Sequence, residues 1–226
     1  MVSAIIVAAG KGTRMGPGID KLFMEVKGRP VVAHTWNTFE HSAAIDELIL
    51  VVRDGLQSSF AELAEKYSFK KPFHLVPGGL ERQDSVWNGL KALTRATQIV
   101  VIQDGARPCT SPELIEATIA AARQTGAAVA AQPVTDTIKE SVDGVLVTRT
   151  LDRARLWAVQ TPQTFRVEII RRALVEVRRQ GLQVTDDTAA CELIGQPIRL
   201  VLGKKPNPKV TQPGDLITVA QLLGNQ

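Results

Sequence analysis

The stretch Ala4-Ile5-Ile6-Val7-Ala8-Ala9-Gly10-Lys11-Gly12-Thr13-Arg14-Met15-Gly16 joins a short apolar run directly to a glycine-rich segment. A run of consecutive apolar, β-branched residues predicts a strand that is buried on both faces. Glycines after such a strand allow positive φ values and let backbone N–H groups approach an anion closely. The stretch therefore predicts an α/β fold with a ligand-binding loop at the carboxyl edge of its sheet.

The same strand pattern recurs along the chain, with helical patterns between the recurrences. Further buried strands are predicted at 48–52, 73–76, 99–102, 127–130 and 198–202. Helices are predicted at 31–42, 56–67, 83–95, 111–124, 166–180, 186–194 and 213–223. This alternation is typical of parallel strands joined by crossover helices, so we expect a doubly wound, mostly parallel, Rossmann-like α/β sheet.

The alternation breaks after Pro133, where two β-like runs at 137–142 and 145–150 flank Asp143-Gly144. An Asp-Gly pair suits the positive φ values of a type I′ turn and predicts a tight β-hairpin. The apolar residues of this inserted arm, at about 134–158, have no crossover helix to cover them. We expect the arm to pack on a second copy of the chain in a homodimer; packing on its own domain is the alternative. Residues 1–226 otherwise read as a single domain.

Composition narrows the class of protein. A chain of 226 residues that is 44% hydrophobic supports a core without disulfides or metal. Cys109 and Cys191 lie far apart without ligand-like spacing, which predicts buried thiols in a reducing compartment. No apolar stretch approaches the roughly 18 to 20 residues needed to cross a bilayer, and the N-terminus lacks a basic signal-peptide region. We therefore expect a cytoplasmic protein without a membrane partner.

The basic surplus is concentrated in one segment. Residues 149–210 hold twelve Lys and Arg against six Asp and Glu, whereas residues 1–148 hold fifteen against sixteen. Such a segment suits a phosphorylated small molecule or a nucleic acid. With only 4% aromatic residues and no run of five or six basic residues, nucleic-acid binding is poorly supported, so a small phosphorylated ligand is the better prediction.

The glycine-rich segment fits neither of two familiar phosphate-binding motifs. A dinucleotide fingerprint requires G-x-G-x-x-G, but Gly16 comes one residue late, and no Gly-Lys is followed by Ser or Thr as in a P-loop. The segment does carry Arg14, and Lys21 follows it. Two cations converging on a polyphosphate would offset the charge that develops during in-line displacement at phosphorus. The pair predicts transfer chemistry on a nucleotide; ordinary surface charges are the alternative.

Several motifs together resemble one enzyme family. Ala8-Ala9-Gly10-x-Gly12-x-Arg14-Met15 with Lys21 is similar to the signature of sugar-nucleotide-type nucleotidylyltransferases. The later motifs, in chain order, are Gly78-Gly79-x-Glu81-Arg82-Gln83-x-Ser85-Val86, Asp104-Gly105-Ala106-Arg107-Pro108, Pro133-Val134-x-Asp136-Thr137-x-Lys139, Asp152-Arg153-x-x-Leu156-Trp157-x-x-Gln160-Thr161-Pro162-Gln163-x-Phe165, Thr185-Asp186-Asp187 and Lys209-Val210-Thr211. They resemble the 2-C-methyl-D-erythritol 4-phosphate cytidylyltransferase family, the CTP-using enzymes of non-mevalonate isoprenoid synthesis. The resemblance covers nearly the whole chain.

The resemblance implies a division of roles among the motif residues. Arg14 and Lys21 would be catalytic. The nucleotide would be bound by Ala8, Ala9, Gly10, Gly12, Gly79, Ser85 and Asp104. The acceptor phosphate would be bound by Arg107, Thr137, Arg153, Thr161 and Lys209, with Thr137 and Arg153 on the arm of the other subunit.

Asp104 follows the predicted strand at 99–102, which puts its carboxylate at the edge of the sheet beside the glycine-rich segment. A carboxylate next to a triphosphate makes physical sense with a divalent cation between them, and Mg²⁺ prefers oxygen ligands. Asp104 is therefore predicted to face Mg²⁺ or substrate, with a turn-capping role as the alternative. Two positions depart from the family pattern: Leu80, where an acidic or small residue is common, and the Pro206-Asn207-Pro208 run before Lys209.

Three other functions are alternatives to the one that the resemblance implies. A cytidylyltransferase for another polyol phosphate, such as ribitol 5-phosphate, would share the nucleotide half. A non-catalytic nucleotide-binding protein would make Arg14 and Lys21 expendable. A basic nucleic-acid-binding protein would show steeply salt-dependent binding to DNA.

Overall fold

The computed structural model describes residues 1–10 and 20–224. The strands are β1 (Val2–Ala8), β2 (Glu25–Val26), β3 (Arg29–Pro30), β4 (Glu47–Val52), β5 (Phe73–Pro77), β6 (Ile99–Asp104), β7 (Ala127–Pro133), β8 (Lys139–Glu140), β9 (Arg149–Thr150), β10 (Trp157–Arg166) and β11 (Arg199–Leu202). The helices are α1 (Val31–His41), α2 (Gln57–Lys66), α3 (Arg82–Ala92), α4 (Pro112–Thr125), α5 (Val167–Arg179), α6 (Asp187–Glu192) and α7 (Asp215–Leu223), with a 3₁₀ turn at Arg153–Arg155. None of these helices, within the described ranges, is a candidate for a membrane-spanning segment.

The central sheet has seven strands in the order β11-β7-β10-β6-β1-β4-β5 within the described residues. β1 pairs in parallel with β4 and β6, β4 with β5, and β7 with β11. The predicted doubly wound, mostly parallel α/β sheet is confirmed. Strand β10 was not predicted; it runs antiparallel between β6 and β7. Its residues mix Gln and Thr with apolar side chains, and its register shifts between Val159 and Gln163, so no continuous apolar run marks it.

Strand β1 contributes to the core on both faces of the sheet, because successive side chains of a strand point in opposite directions. Ala4 and Ile6 pack in a cluster with Trp36 of α1. Ile5 packs in a second cluster, with Val86 of α3 and Phe165 of β10. Continuous burial of β1, rather than alternation, is what a strand between two helical layers requires.

The two cysteines lie in the core, as predicted. Cys109 and Cys191 are free and buried. Burial raises the pKa of the Cys109 thiol to about 11 and that of Cys191 to about 12. Both side chains are therefore neutral thiols near neutral pH and behave as small apolar groups.

Local signals fix where helices α3 and α4 begin. The Ser111 hydroxyl caps α4 by accepting a hydrogen bond from the Leu114 N–H, and Pro112 occupies the first turn. A reciprocal capping box between Glu81 and Asp84 begins α3. Because only Leu80 separates this box from Gly78-Gly79, α3 starts close behind the glycine turn at the end of β5.

The arm differs from the predicted tight hairpin. β8 and β9 form a separate two-stranded sheet that pairs Lys139 with Thr150, leaving residues 141–148 between the strands. Gly144 has a φ of +72°, but Asp143 does not share the positive φ that a type I′ turn needs. Its carboxylate instead accepts hydrogen bonds from the N–H groups of Val145 and Leu146. The type I′ prediction was wrong because the aspartate side chain satisfies the turn by itself.

Candidate functional site

A cavity of about 620 Å³ opens at the carboxyl edge of the sheet. Four segments that follow neighbouring strands meet there, after β1, β4, β5 and β6. The lining residues are Val7, Ala9, Gly10, Lys21, Leu22, Arg53, Asp54, Gly78, Gly79, Leu80, Glu81, Arg82, Ser85, Asp104, Gly105, Ala106 and Lys209. The position of this nucleotide-sized cavity follows from the fold, because parallel strands present their carboxyl ends at one edge.

The glycine turn after β5 sits against the end of β1. A Cβ on Gly78 would lie 2.3 Å from the Ala9 Cβ, so only glycine permits this approach. The Gly79 N–H donates to the Ser85 Oγ at 3.0 Å, and that hydroxyl donates to the Glu81 carbonyl at 3.2 Å. Ser85 thus shapes the turn, and Leu80 at its tip is 99% exposed on the cavity rim.

Replacing Gly78 with alanine is expected to raise the KM for the nucleotide predicted from the sequence at least about fivefold, since inserting a methyl group into a packed site typically costs about 1 to 3 kcal/mol. The added Cβ must displace the Ala9 side chain or the whole turn, and both line the cavity. Steady-state kinetics with that predicted nucleotide as the varied substrate tests this. Gly214→Ala is the matched control, because its Cβ would meet nothing within 4 Å. An unchanged KM for Gly78→Ala would contradict the expectation.

Cations from separate parts of the chain line the cavity. The Lys21 Nζ donates to the Val210 carbonyl at 3.0 Å, which places it beside the segment that carries Lys209. Arg53, after β4, donates to Asp20 at 3.0 Å and to the Gly10 carbonyl at 3.3 Å. The predicted residues Gly12 and Arg14 lie outside the described residues. Ala8 is buried in the core, and Ala9 and Gly10 line the cavity.

Asp104 lies among three cations at the end of β6. One carboxylate oxygen is 2.8 Å from the Lys209 Nζ and 3.7 Å from the Arg107 Nε, and the other is 3.4 Å from the Arg82 Nε. Burial by itself would raise the pKa of Asp104, but Arg82, Lys209 and Arg107 outweigh it and lower the pKa to about 2. Asp104 is therefore ionised at every pH near neutrality and cannot act as a proton donor there.

A second cavity of about 300 Å³ adjoins the first. Arg82, Asp104 and Lys209 line both cavities, so these three side chains form a shared wall. The remaining lining residues of the second cavity are Arg107, Val159, Gln160, Thr161, Gln163, Thr185 and Asp186. It therefore brings together Arg107, Thr161 and Lys209, three of the five residues predicted to bind an acceptor phosphate.

Side-chain hydrogen bonds hold this second cavity in shape. The Thr161 Oγ1 accepts a hydrogen bond from the Asp104 N–H at 3.1 Å. Asn207 donates to the Thr161 carbonyl at 2.8 Å, and its own carbonyl accepts from Arg107 at 2.7 Å. Buried Asn207 thus fixes the Pro206-Asn207-Pro208 segment that precedes Lys209. Lys209 therefore lines the cavity even though the proline-containing segment before it differs from the family pattern.

The remaining two predicted acceptor residues lie on the arm and line neither cavity of this chain. Thr137 is exposed, and the Arg153 Nη1 donates to the Thr135 carbonyl at 2.6 Å. Around the loop between β8 and β9 the apolar side chains are strongly exposed, with Val142 at 90% and Val145 at 81%.

Sequence reasoning missed three side chains of the site. Arg53 and Arg82 line the larger cavity, and Asn207 lies between the two prolines that depart from the family pattern. Arg107 follows Asp104 by only three positions and was predicted, but Arg82 and Asp104 are 22 positions apart. Strand pairing and the packing of α3 on the sheet together bring those two side chains close.

The described residues offer no cluster of three or more His, Cys, Asp or Glu side chains that could hold a metal ion. Asp104 is a single carboxylate whose two oxygens already face Arg82 and Lys209. Mg²⁺ commonly keeps several waters and takes one or two carboxylates together with substrate phosphate oxygens. Because both Asp104 oxygens already face cations, the nucleotide phosphates would be the main ligands of such an ion.

Comparisons with known proteins agree on one family. The model of the family described as 2-C-methyl-D-erythritol 4-phosphate cytidylyltransferase (IspD) matches residues 2–225. Proteins of that name from Alkaliphilus oremlandii and Pelotomaculum thermopropionicum are 44% and 45% identical to the chain. Each alignment covers 98% of this chain and 94% or 93% of the relative.

Solved structures lead to the same family. The structure of 4-diphosphocytidyl-2C-methyl-D-erythritol synthase from Anaerococcus prevotii superposes with a TM-score of 0.86 at 33% identity, covering 99% of this chain and 98% of that one. The 2-C-methyl-D-erythritol 4-phosphate cytidylyltransferase from Thermus thermophilus gives a TM-score of 0.81 at 30% identity over both full chains. The chain belongs to the 2-C-methyl-D-erythritol 4-phosphate cytidylyltransferase family.

Proposed function

We propose that the two adjoining cavities carry out this family's reaction, in which CTP and 2-C-methyl-D-erythritol 4-phosphate give 4-diphosphocytidyl-2-C-methyl-D-erythritol and pyrophosphate. The observation that carries the proposal is the shared wall of Arg82, Asp104 and Lys209 between a nucleotide-sized cavity and a smaller cationic one. A reaction that joins two phosphorylated molecules needs such neighbouring sites, because the reacting atoms must approach to about 3 to 3.5 Å.

CTP occupies the larger cavity in this proposal. The backbone around Gly79 reads the cytosine, with Ser85 holding the turn, while Ala8, Ala9, Gly10 and Gly12 belong to the phosphate-binding segment. Lys21 lines that cavity, and with Arg14 it offsets the charge that grows on the phosphates during transfer. The cavity's glycine contacts support this arrangement, because a backbone without Cβ atoms lets a ligand approach closely.

The acceptor phosphate occupies the smaller cavity, near Arg107, Thr161 and Lys209. One of its oxygens attacks the α-phosphorus of CTP and forms the new P–O bond, while the bond to the β-phosphate oxygen breaks and pyrophosphate leaves. A phosphate monoester has a second pKa of about 6, so the attacking oxygen is already ionised at neutral pH and no general base is required. This agrees with a site whose ionised Asp104 is held by cations.

A divalent cation is part of the proposal. Mg²⁺ bound by the triphosphate, with Asp104 facing it, would neutralise phosphate charge during transfer and orient the leaving pyrophosphate. Asp104 also holds Lys209 at 2.8 Å, so its carboxylate positions a substrate-binding cation in addition.

The arm completes the acceptor site of a second subunit in this proposal, through Thr137 and Arg153. Three observations support a homodimer: both residues lie away from their own subunit's cavities, Arg153 carries a guanidinium suited to bidentate phosphate binding, and the arm presents Val142 and Val145 to solvent. A cytoplasmic location stays an expectation from the sequence.

Pyrophosphate release with CTP and Mg²⁺ across a panel of polyol phosphates tests the function. We expect turnover with 2-C-methyl-D-erythritol 4-phosphate, none without CTP or after chelation of the metal, and little with ribitol 5-phosphate. Strong turnover with ribitol 5-phosphate and none with the methylerythritol compound would reassign the acceptor. Nucleotide binding without turnover on any acceptor would favour a non-catalytic protein.

A further inference from the structure

A buried carboxylate outside both cavities is connected to their shared wall. Asp187, the first residue of α6, is 1% exposed and lines neither cavity. Its Oδ2 accepts a hydrogen bond from the Arg82 Nη1 at 2.7 Å. Its Oδ1 has no hydrogen-bond partner in the described part of the chain. A buried ion pair that leaves one oxygen unsatisfied is a weak source of stability, so its presence calls for another explanation.

Arg82 links that carboxylate to the wall. Its Nη1 contacts Asp187, whereas its Nε contacts the Asp104 Oδ1 at 3.4 Å. Asp104 in turn holds the Lys209 Nζ at 2.8 Å through its other oxygen. The four side chains therefore form a continuous row of alternating charge that starts in the core and ends at the cation predicted to bind the acceptor phosphate.

The inner end of this row is fixed on two sides. The Asp187 N–H donates to the Gln163 Oε1 at 3.0 Å, which ties α6 to strand β10. Gln83, next to Arg82, accepts from the Val184 N–H at 2.9 Å and donates to the Leu182 carbonyl at 3.0 Å. Asp187 and the start of α3 thus keep a constant separation, which lets Asp187 hold the Arg82 guanidinium in one place.

We infer that Asp187 is a positioning residue for the transfer reaction, holding Arg82 so that Asp104 keeps Lys209 aimed at the acceptor phosphate. The inference rests on the proposed function and extends it to a residue that touches neither substrate. Without the Asp187 charge, the Arg82 guanidinium has Asp104 as its remaining carboxylate partner and moves onto it. It then competes with Lys209 for that carboxylate, and the ammonium group loses its orientation.

Asp187→Asn, which keeps the shape and removes the charge, is the direct test. We expect the KM for the acceptor to rise about tenfold while the KM for CTP changes less than about twofold, since small displacements of a positioning group weaken the contacts that depend on it. Glu47→Gln is the matched control: Glu47 is a buried carboxylate at the amino end of β4 that accepts a hydrogen bond from Ser3 and lies 3.5 Å from the His74 ring. It should lower the thermal stability without changing the ratio of the two KM values.

A double-mutant cycle with Asp104→Asn separates positioning from general destabilisation. If Asp187 acts through Arg82 on Asp104, the double variant should be no worse for the acceptor than Asp104→Asn alone. Additive losses, or equal rises in both KM values, would overturn the inference. Should Asp187→Asn fail to fold, Arg82→Lys, which keeps the positive charge at both cavities but cannot reach Asp187 and Asp104 with the same fork, must show the same selective rise in acceptor KM, and an equal effect on CTP would likewise overturn it.

The same data distinguish the two levels of proposal. A normal acceptor KM for Asp187→Asn, with a raised one for Asp104→Asn, removes the positioning role and leaves the proposed function in place. A normal acceptor KM for Asp104→Asn and Lys209→Met removes the proposed acceptor site, and the positioning role with it.

Discussion

Lys21→Met is expected to lower kcat about 100-fold to 1000-fold, the loss typical of removing one preorganised group that stabilises transition-state charge. Methionine keeps most of the apolar stem of lysine and removes the ammonium group that donates to Val210 and lines the nucleotide cavity. The charge on the α-phosphate and the leaving pyrophosphate increases during transfer, so the missing cation matters more in the transition state than in the CTP complex. The KM for CTP should therefore change far less than kcat.

The measurement is pyrophosphate release with both substrates saturating, together with CTP binding by calorimetry. Lys91→Met, an exposed lysine near the end of α3, is the control for the loss of one positive charge. Arg14→Ala should cause a comparable loss, and the Lys21, Arg14 double variant should be less impaired than additivity predicts if the two cations act as a unit. Full activity of either single variant would refute the proposed charge stabilisation.

Mixing two inactive variants should restore activity if the arm of one subunit serves the active site of the other. Arg153→Ala removes an arm residue, and Lys21→Met removes a residue of the nucleotide cavity. In a mixed dimer, one active site receives both changes and the other receives neither. An equal mixture after subunit exchange should therefore recover about a quarter of wild-type activity, as expected for random pairing in a twofold dimer.

The same prediction has a second, structural test. Val145→Asp with Leu146→Asp places two charges on side chains that are 81% and 71% exposed in the single subunit. If these side chains are covered by a partner, the variant should sediment as a monomer and lose most activity, because burying an unpaired charge is costly. No recovery on mixing, or a wild-type protein that sediments as a monomer, would show that each subunit works alone.

Most strands and helices of the fold could be predicted from patterns of neighbouring residues. The apolar runs of β1, β4, β5 and β6 and the periodicity of the helices were readable because each depends on residues close in sequence. Strand β10 was not, since its Gln and Thr side chains are satisfied by distant partners such as Thr118 and Asp186. The prediction of the turn type in the arm was wrong for a related reason. Asp143 can stabilise a turn through its backbone or through its side chain, and the Asp-Gly pair alone does not distinguish the two.

The sequence by itself determined the sheet, the edge at which a phosphorylated ligand would bind, and the family, because each rests on local patterns or on motifs kept in order. Tertiary structure alone decided that Arg82, Asp104, Lys209 and Asp187 form one row of charges. These residues come from four separate segments, and their ion pairs exist only where strand pairing and helix packing bring the segments within about 4 Å, since Coulomb attraction acts through space and leaves no pattern along the chain.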